Sequence, residues 1–344
     1  MARNSDIRDY LAAQPATKFP TLPARPSNLE LVSFFRTVYA DPIFEFKRVA
    51  DQPAIYRWNT ITRLWVEEMN FPRFVAKLLR MALKHSNPAG SILILERLHQ
   101  VSDIHFFAAC YIQTYPPTSF DSAIDPNGPL VPLNDGHLFD VRDRTSRLRT
   151  PADYYMFTFR TDSVVSDLNC PLVVTQFINQ ITGQDRMLAR QLLTILAHQI
   201  FGHSPVRWII VGRNSGRTTL FRMIEVLLDH SAIKFPHPML IGIHGSRHTA
   251  ARLAGARFIR FKPEDFDRFD DRIFEIVPSL CLEMDRLPSS SVPNPVSIIK
   301  LPSQFVRDLV DETPTRYRED PEILSKLVTS SAMRELFELL VAHY

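Results

Sequence analysis

A chain of 344 residues with 45% hydrophobic side chains can bury one large core or two ordinary ones. Its 40 Lys and Arg and 37 Asp and Glu are interspersed and leave a net charge of +3, which permits a nucleic-acid partner without requiring one. Cys110, Cys170 and Cys281 are far apart and form no C-x-x-C pair, which argues against a disulfide framework or a zinc site. No apolar run approaches membrane-spanning length and no secretory leader opens the chain, so an intracellular setting (cytoplasm, nucleus, organelle matrix or virion) without membrane contact is expected.

Residues 1–28 are polar and proline-punctuated, and read as a flexible arm. The 26 prolines outnumber the 10 glycines and gather in 15–26, 116–132, 236–238 and 288–302, marking loops or edges. Ile55–Asn59 and Arg63–Val66 predict a hairpin whose core holds Trp58 and Trp65. Phe71, Phe74, Val75, Leu78, Leu79, Ala82 and Leu83 keep three- and four-residue spacing and predict a helix; another covers about 103–114. Turns and short strands follow over Leu130–Asp140, with Asn134-Asp135-Gly136 as the turn signal. These elements make 29–165 an α-rich domain with short β-hairpins.

The pattern changes after 165. Phe177–Ile181 and Leu188–Phe201 are helical by period, the second closed by Gly202. Val206–Val211 is a short all-apolar strand of the kind buried on both faces. Thr218–Leu228 predicts a helix, and Arg257–Phe261 and Ser279–Met284 predict strands. Strands alternating with helices predict an α/β core over 166–310. Asp320-Pro321 opens a helical segment over 311–344, broken near Thr329–Ser331.

Trp208–Leu220 carries the sharpest signal: a buried strand, a glycine turn, then a helix start with two hydroxyls. That is the layout of a phosphate-binding loop, G-x-x-x-x-G-K-[ST], in which backbone N–H groups surround the phosphates and the lysine reaches the terminal ones. Here three residues, not four, separate Gly212 from Gly216, and Arg217 holds the lysine position. Gly212, Asn214, Ser215, Gly216, Arg217, Thr218 and Thr219 are the candidate nucleotide contacts, with Thr218 the candidate Mg²⁺ ligand. The competing reading is a relic loop kept because the strand-turn-helix packs well.

In this order the signals resemble the superfamily 3 helicase module of poxvirus-type and phage primase–helicases. Ile55–Leu83 is similar to the strand, tryptophan and helix of that family's preceding domain. Asn134–Val141 and Leu148–Tyr154 echo its N-G-x-L-D-L-x-T-G-x-L turn and P-x-D-Y motif, and Cys170-Pro171 through Phe177 follow the same pattern. Arg252–Ile259 resembles the approach to the acidic motif, Leu280–Pro288 the third motif, Ile298–Phe305 the I-P-F run and Asp320–Leu327 the closing helix. The resemblance spans about residues 50–342. It implies a P-loop NTPase core of AAA+-like superfamily 3 type, ATP and Mg²⁺ as cofactors, and a homo-oligomeric ring such as a hexamer, or a place in a larger assembly. It also implies single-stranded DNA or RNA as partner.

The four chemical positions of that family are altered. Arg217 replaces the lysine, and its planar fork does not act as a point charge between two phosphates. The acidic position falls near Pro263, with Glu264 and Asp265 displaced by one and two residues, and Arg260 and Lys262 interrupt the apolar strand; a one-residue slip faces a strand side chain the other way. Asp285 replaces the asparagine that orients the attacking water. Val296 and Ser297 stand where the arginine acting on a neighbour's ATP is expected. Glu264, Asp265 and Asp285 are therefore weak catalytic candidates, against plain roles in a solvated turn or at a strand end.

Arg247, Arg252, Arg257, Arg260 and Lys262 form the most basic local segment; in the resembling family such residues line the single-stranded DNA channel. The bland alternative is an exposed charged face. The resulting expectation is a helicase-like protein of a viral or mobile-element replication machinery with ATP hydrolysis lost or severely reduced. The alternative is an inactive structural or assembly component derived from one.

Overall fold

The computed structural model describes residues 11–13, 19–23, 26–39, 46–49, 55–68, 70–86, 101–113, 117–118, 128–162, 172–202, 206–235, 256–261, 279–285, 296–306, 313 and 315–344. They form two compact units: 1–124 with 150–156, and 125–149 with 157–344. The chain passes between the units at 124/125, 149/150 and 156/157, all before the boundary expected at 165/166.

In the first unit, α1 (Asn28–Val38) starts at a capping box: Ser27 Oγ accepts from Glu30 N–H at 3.3 Å, and Glu30 Oε2 accepts from Ser27 N–H at 2.7 Å. Four strands follow in the order β3-β2-β1-β4, from β1 (Phe46–Val49), β2 (Ile55–Asn59), β3 (Leu64–Glu67) and β4 (Pro117–Thr118). The predicted hairpin is β2–β3, with Trp58 facing Trp65 at 5.7 Å between ring centroids. Trp65 also donates from Nε1 to Pro151 O at 2.9 Å, tying the returning segment to the hairpin. Helices α2 (Phe71–Ser86) and α3 (Val101–Ile112) pack with α1 through Phe35, Leu79, Phe107 and Tyr111. Leu11 is buried in that same core, and Phe19 and Leu22 pack against it. These parts of 1–28 belong to the helical layer instead of forming a loose arm.

The second unit opens with a meander of β5 (Leu130–Pro132), β6 (His137–Asp140) and β7 (Thr145–Leu148). Helices α4 (Val173–Ile181) and α5 (Arg186–Phe201) lead to β8 (Arg207–Val211) and α6 (Arg217–Leu228). The remaining sheet strands are β9 (Ala232–Phe235), β10 (Phe258–Phe261), β11 (Leu280–Met284) and β12 (Ser297–Lys300). The five strands are all parallel, in the order β12-β8-β11-β10-β9. Trp208, Ile210, Phe258, Cys281 and Ile299 share one core with Leu220, Phe221 and Ile224 of α6. A parallel pair, β13 (Gln304–Val306) and β14 (Arg316–Arg318), precedes α7 (Ile323–Leu327) and α8 (Ser330–His343). The predicted helix break holds: Thr329 caps α8 through the Ala332 N–H at 3.3 Å. Among the described residues no helix is long and apolar enough to cross a membrane.

The C-terminal segment is an integral part of this unit. Phe337 packs edge-on against Phe139, Phe159 and Phe201. Glu335, only 5% exposed, accepts from Val174 N–H at 2.9 Å and from Thr175 N–H and Oγ1 at 2.8 Å. It caps α4 from a distant part of the chain, where the N-cap residue Leu172 supplies no side-chain bond. Glu335→Ala leaves two helix-start N–H groups without that acceptor, and a loss of about 1–3 kcal/mol is expected in urea unfolding. Thr329→Ala, at an ordinary cap, should cost about 1 kcal/mol. An effect of Glu335→Ala no larger than a few tenths would disprove the long-range cap.

Candidate functional site

A cavity of about 1360 Å³ opens at the carboxyl end of β8, where parallel α/β sheets place their ligand crevices. Its walls are the turn 212–216 with the start of α6, the α4 residues Val173, Gln176, Phe177 and Gln180, and the segment Arg318–Lys326. All candidate nucleotide contacts, Gly212 and Asn214–Thr219, line it, as does Asp285.

The turn is fixed from both sides. Gly212 N–H donates to Met284 O at 3.1 Å, Leu301 N–H to Val211 O at 2.8 Å and Phe305 N–H to Asn214 O at 2.8 Å. Gly216 has φ +79°, and a Cβ there would lie 2.6 Å from Ile181 Cγ2 and 3.1 Å from Phe305 Cε2. Left-handed backbone and close packing both demand glycine at 216. As N-cap of α6, Gly216 offers no side-chain acceptor, and the first turn of the helix faces the cavity. Ser215, 2% exposed, holds its Oγ buried without a hydrogen-bond partner.

Arg217 does not lie free in this space. Its Nε donates to Glu283 Oε1 at 3.2 Å, Nη2 to Asp285 Oδ1 at 2.8 Å and Nη1 to Met284 O. Glu283 Oε2 accepts from Arg260 Nη1 at 3.1 Å, and Arg260 Nη2 and Nε reach Glu225 Oε1 at 2.5 and 2.8 Å. Arg222, on the surface, meets Glu225 Oε2 at 3.2 Å. The result is a charge ladder, Asp285–Arg217–Glu283–Arg260–Glu225–Arg222, whose signs alternate along its length. Its middle is dry: the side chains of Arg217, Glu283 and Arg260 are 6, 5 and 4% exposed. Beside the ladder, burial above all and then the charge of Glu283 push the Cys281 thiol pKa well up, so it stays neutral.

At the far rim, Lys326 Nζ donates to Asp320 Oδ2 at 2.7 Å. That hydrogen bond lowers the Asp320 pKa and raises that of Lys326. Phe305 stacks on Tyr317 at 5.7 Å and gives the cavity an aromatic wall. Phe305, Arg318 and Lys326 carried no assigned role in the sequence reading.

Two of the basic candidates are corrected. Arg260 does not break β10; it lies within the strand, paired to Glu225 and Glu283 and set 5.2 Å from the Phe221 ring, so it is no part of an exposed basic face. Arg257 is 4% exposed and donates to Gly128 O, Leu130 O and Ile200 O at 2.8, 2.7 and 3.1 Å. Both guanidiniums are buried and bonded within the fold. Arg247, Arg252, Lys262, Glu264 and Asp265 lie outside the described residues. Asp285 stands at the bend after β11, as a strand-end residue, and also pairs with Arg217. Glu283 was passed over, yet a lone acid inside the apolar strand Leu280–Met284 demands a buried cation, and that was the available signal. Among the described residues no cluster of three or more His, Cys, Asp or Glu could hold a metal.

No protein-family model matches this chain, and no curated protein does. Among solved structures the chain is similar to the C-terminal region of NrS-1 in its A-form apo structure. The TM-score is 0.50 at 9% identity, over 90% of this chain and 68% of that one. A second A-form apo structure and a further apo structure of that region each give 0.48 at 8% identity, over 89% and 68%. At such identity the likeness concerns the fold alone: a mixed α/β chain with a parallel sheet, compatible with an α/β nucleotide-binding fold.

Removing one member from a buried ion network leaves its partners uncompensated. Glu283→Ala should therefore cost about 3–5 kcal/mol in chemical denaturation. Asp285→Asn, at the half-exposed end, should cost less than about 1 kcal/mol. Similar costs for both would contradict a dry ladder centred on Glu283.

Proposed function

We propose that this chain is a superfamily 3 helicase-like component of a viral or mobile-element replication machinery, with ATP hydrolysis lost or severely reduced. The family resemblance of the motif order supports the first half, and the fold likeness to the C-terminal region of NrS-1 is compatible with the α/β nucleotide-binding fold it needs. One observation carries the second half: the guanidinium in the lysine position is engaged by Glu283, Asp285 and the Met284 carbonyl.

Phosphoryl transfer depends on positioning and on cations that neutralise the developing charge of the transferred group. Three of the Arg217 nitrogens already bond within the protein. Asp285, with a 55% exposed side chain, adds negative charge to the cavity where a phosphate would need positive charge. The uncapped start of α6 and the orphan hydroxyl of Ser215 still suit an anion. ATP, where bound, would be held through its phosphates by Gly212 and Asn214–Thr219, and Thr218 would hold Mg²⁺, which neutralises phosphate charge. Ring assembly with like subunits, or a place in a larger complex, and single-stranded DNA or RNA as partner belong to the same proposal.

The second reading, an assembly component that binds protein or nucleic acid without turnover, is favoured by the glycines. Gly216 is required by its φ and by Ile181 and Phe305, and a Cβ on Gly212 would meet Ser215 Oγ at 2.5 Å. Packing alone therefore accounts for the shape of the loop.

Turnover of ATP with and without single-stranded DNA, beside a nucleotide-binding titration, separates these readings. The expected result is nucleotide binding with turnover far below the ordinary range of about 1–10³ s⁻¹, unstimulated by DNA. Arg217→Lys alone should not restore it, because Asp285 remains. Turnover within that range, abolished by Arg217→Ala, would overturn the proposal, and absence of nucleotide binding would favour the assembly component.

A further inference from the structure

The two carboxylates on Arg217 differ in a way that assigns them different jobs. Glu283 is dry, and its second oxygen is fixed by Arg260, so moving it would strand two buried guanidiniums. Asp285 stands on the cavity wall with a 55% exposed side chain, and water can take over its hydrogen bonds. Next to this pair lie the uncapped start of α6 and the buried Ser215 hydroxyl, which lacks a partner.

The geometry points to Asp285 as an exchangeable plug: an incoming phosphate group takes Arg217 Nη2 from Asp285, while Glu283 keeps Nε and the ladder behind it stays whole. The displaced carboxylate swings to solvent, and Ser215 Oγ gains the phosphate oxygen as its partner. Arginine suits this role because its fork serves a permanent and a temporary anion with different nitrogens, which a lysine ammonium does not do with fixed geometry. The plug makes the protein its own competitor for the anion, so the intact chain binds phosphate groups weakly while retaining the site. This inference rests on reading 212–219 as an anion loop.

The test measures inorganic phosphate and ADP, each without divalent metal, by calorimetry on the full chain and on Asp285→Asn and Asp285→Ala. Losing a like charge, and in Asp285→Ala the competing acceptor as well, should tighten binding by about tenfold or more. Adding Arg217→Gln should abolish the gain. Because that change endangers the fold, Ser215→Ala in the Asp285→Asn background serves as a second check and should weaken binding while melting normally. Tightening with both probes, or with ADP alone, supports the exchange; ADP alone assigns it to a nucleotide's phosphate, and inorganic phosphate alone to a free oxyanion. Binding in both Asp285 variants within about twofold of the intact chain, yet lost with Arg217→Gln, overturns the plug and leaves the anion loop standing. No binding by any variant overturns both.

Discussion

A carboxylate placed within a parallel sheet has few tolerable surroundings. Glu283 sits in β11, between β8 and β10, with its side chain 5% exposed. Without cations on both of its oxygens, such a group would shed its charge or unfold the strand. Arg217 supplies one cation from the start of α6 and Arg260 the other from β10, so the acid joins a helix and two strands at the end of the sheet where the cavity opens. Glu225 and Arg222 extend the alternation to the surface, and no member of the chain of charges carries a net excess alone. The residue that opens α6 is in this way part of the core.

With Arg217 engaged inside the fold, the shape of the loop and its charges have separate causes. The turn at 212–216 is set by backbone bonds to Met284, Val211 and Asn214 carbonyl partners and by the lack of room beside Gly216. None of these depends on a phosphate. Packing and backbone bonds hold a strand-turn-helix of this form without a ligand. Fold and function are argued from different atoms here.

The same distinction governs what could be read from the residues. Strands β8, β10 and β11 and helices α2, α5 and α6 were legible because their apolar spacing is local and regular. Helix α1 carried a legible signal, Ser27-x-x-Glu30, that went unused. The short strands β9 and β12–β14 were not legible, since three or four residues gain their identity from a neighbour's register. Nor was the interleaving of the two units, which depends on contacts distant in sequence. For Arg257 and Arg260 the difference lies in burial: β10 is buried on both faces, so basic residues within and beside it find partners inside the fold instead of forming an exposed face.

The cavity wall is also connected to a distant part of the chain. Val173, Phe177 and Gln180 line the cavity from α4, whose first turn is held by Glu335 of α8. Ile181, at the end of that helix, fills the space that denies Gly216 a side chain. The C-terminal helix thus fixes α4 at one end while α4 fixes the turn at the other. Displacing α8 would loosen the wall that keeps Gly216 in its left-handed conformation, and with it the N-terminus of α6 and the placement of Arg217. Rigidity at the loop therefore arises from three contacts in series: a carboxylate cap, a helix of nine residues and one close approach to a glycine. Each is modest on its own. Their alignment along a single helix makes the geometry of the cavity depend on the last element of the chain.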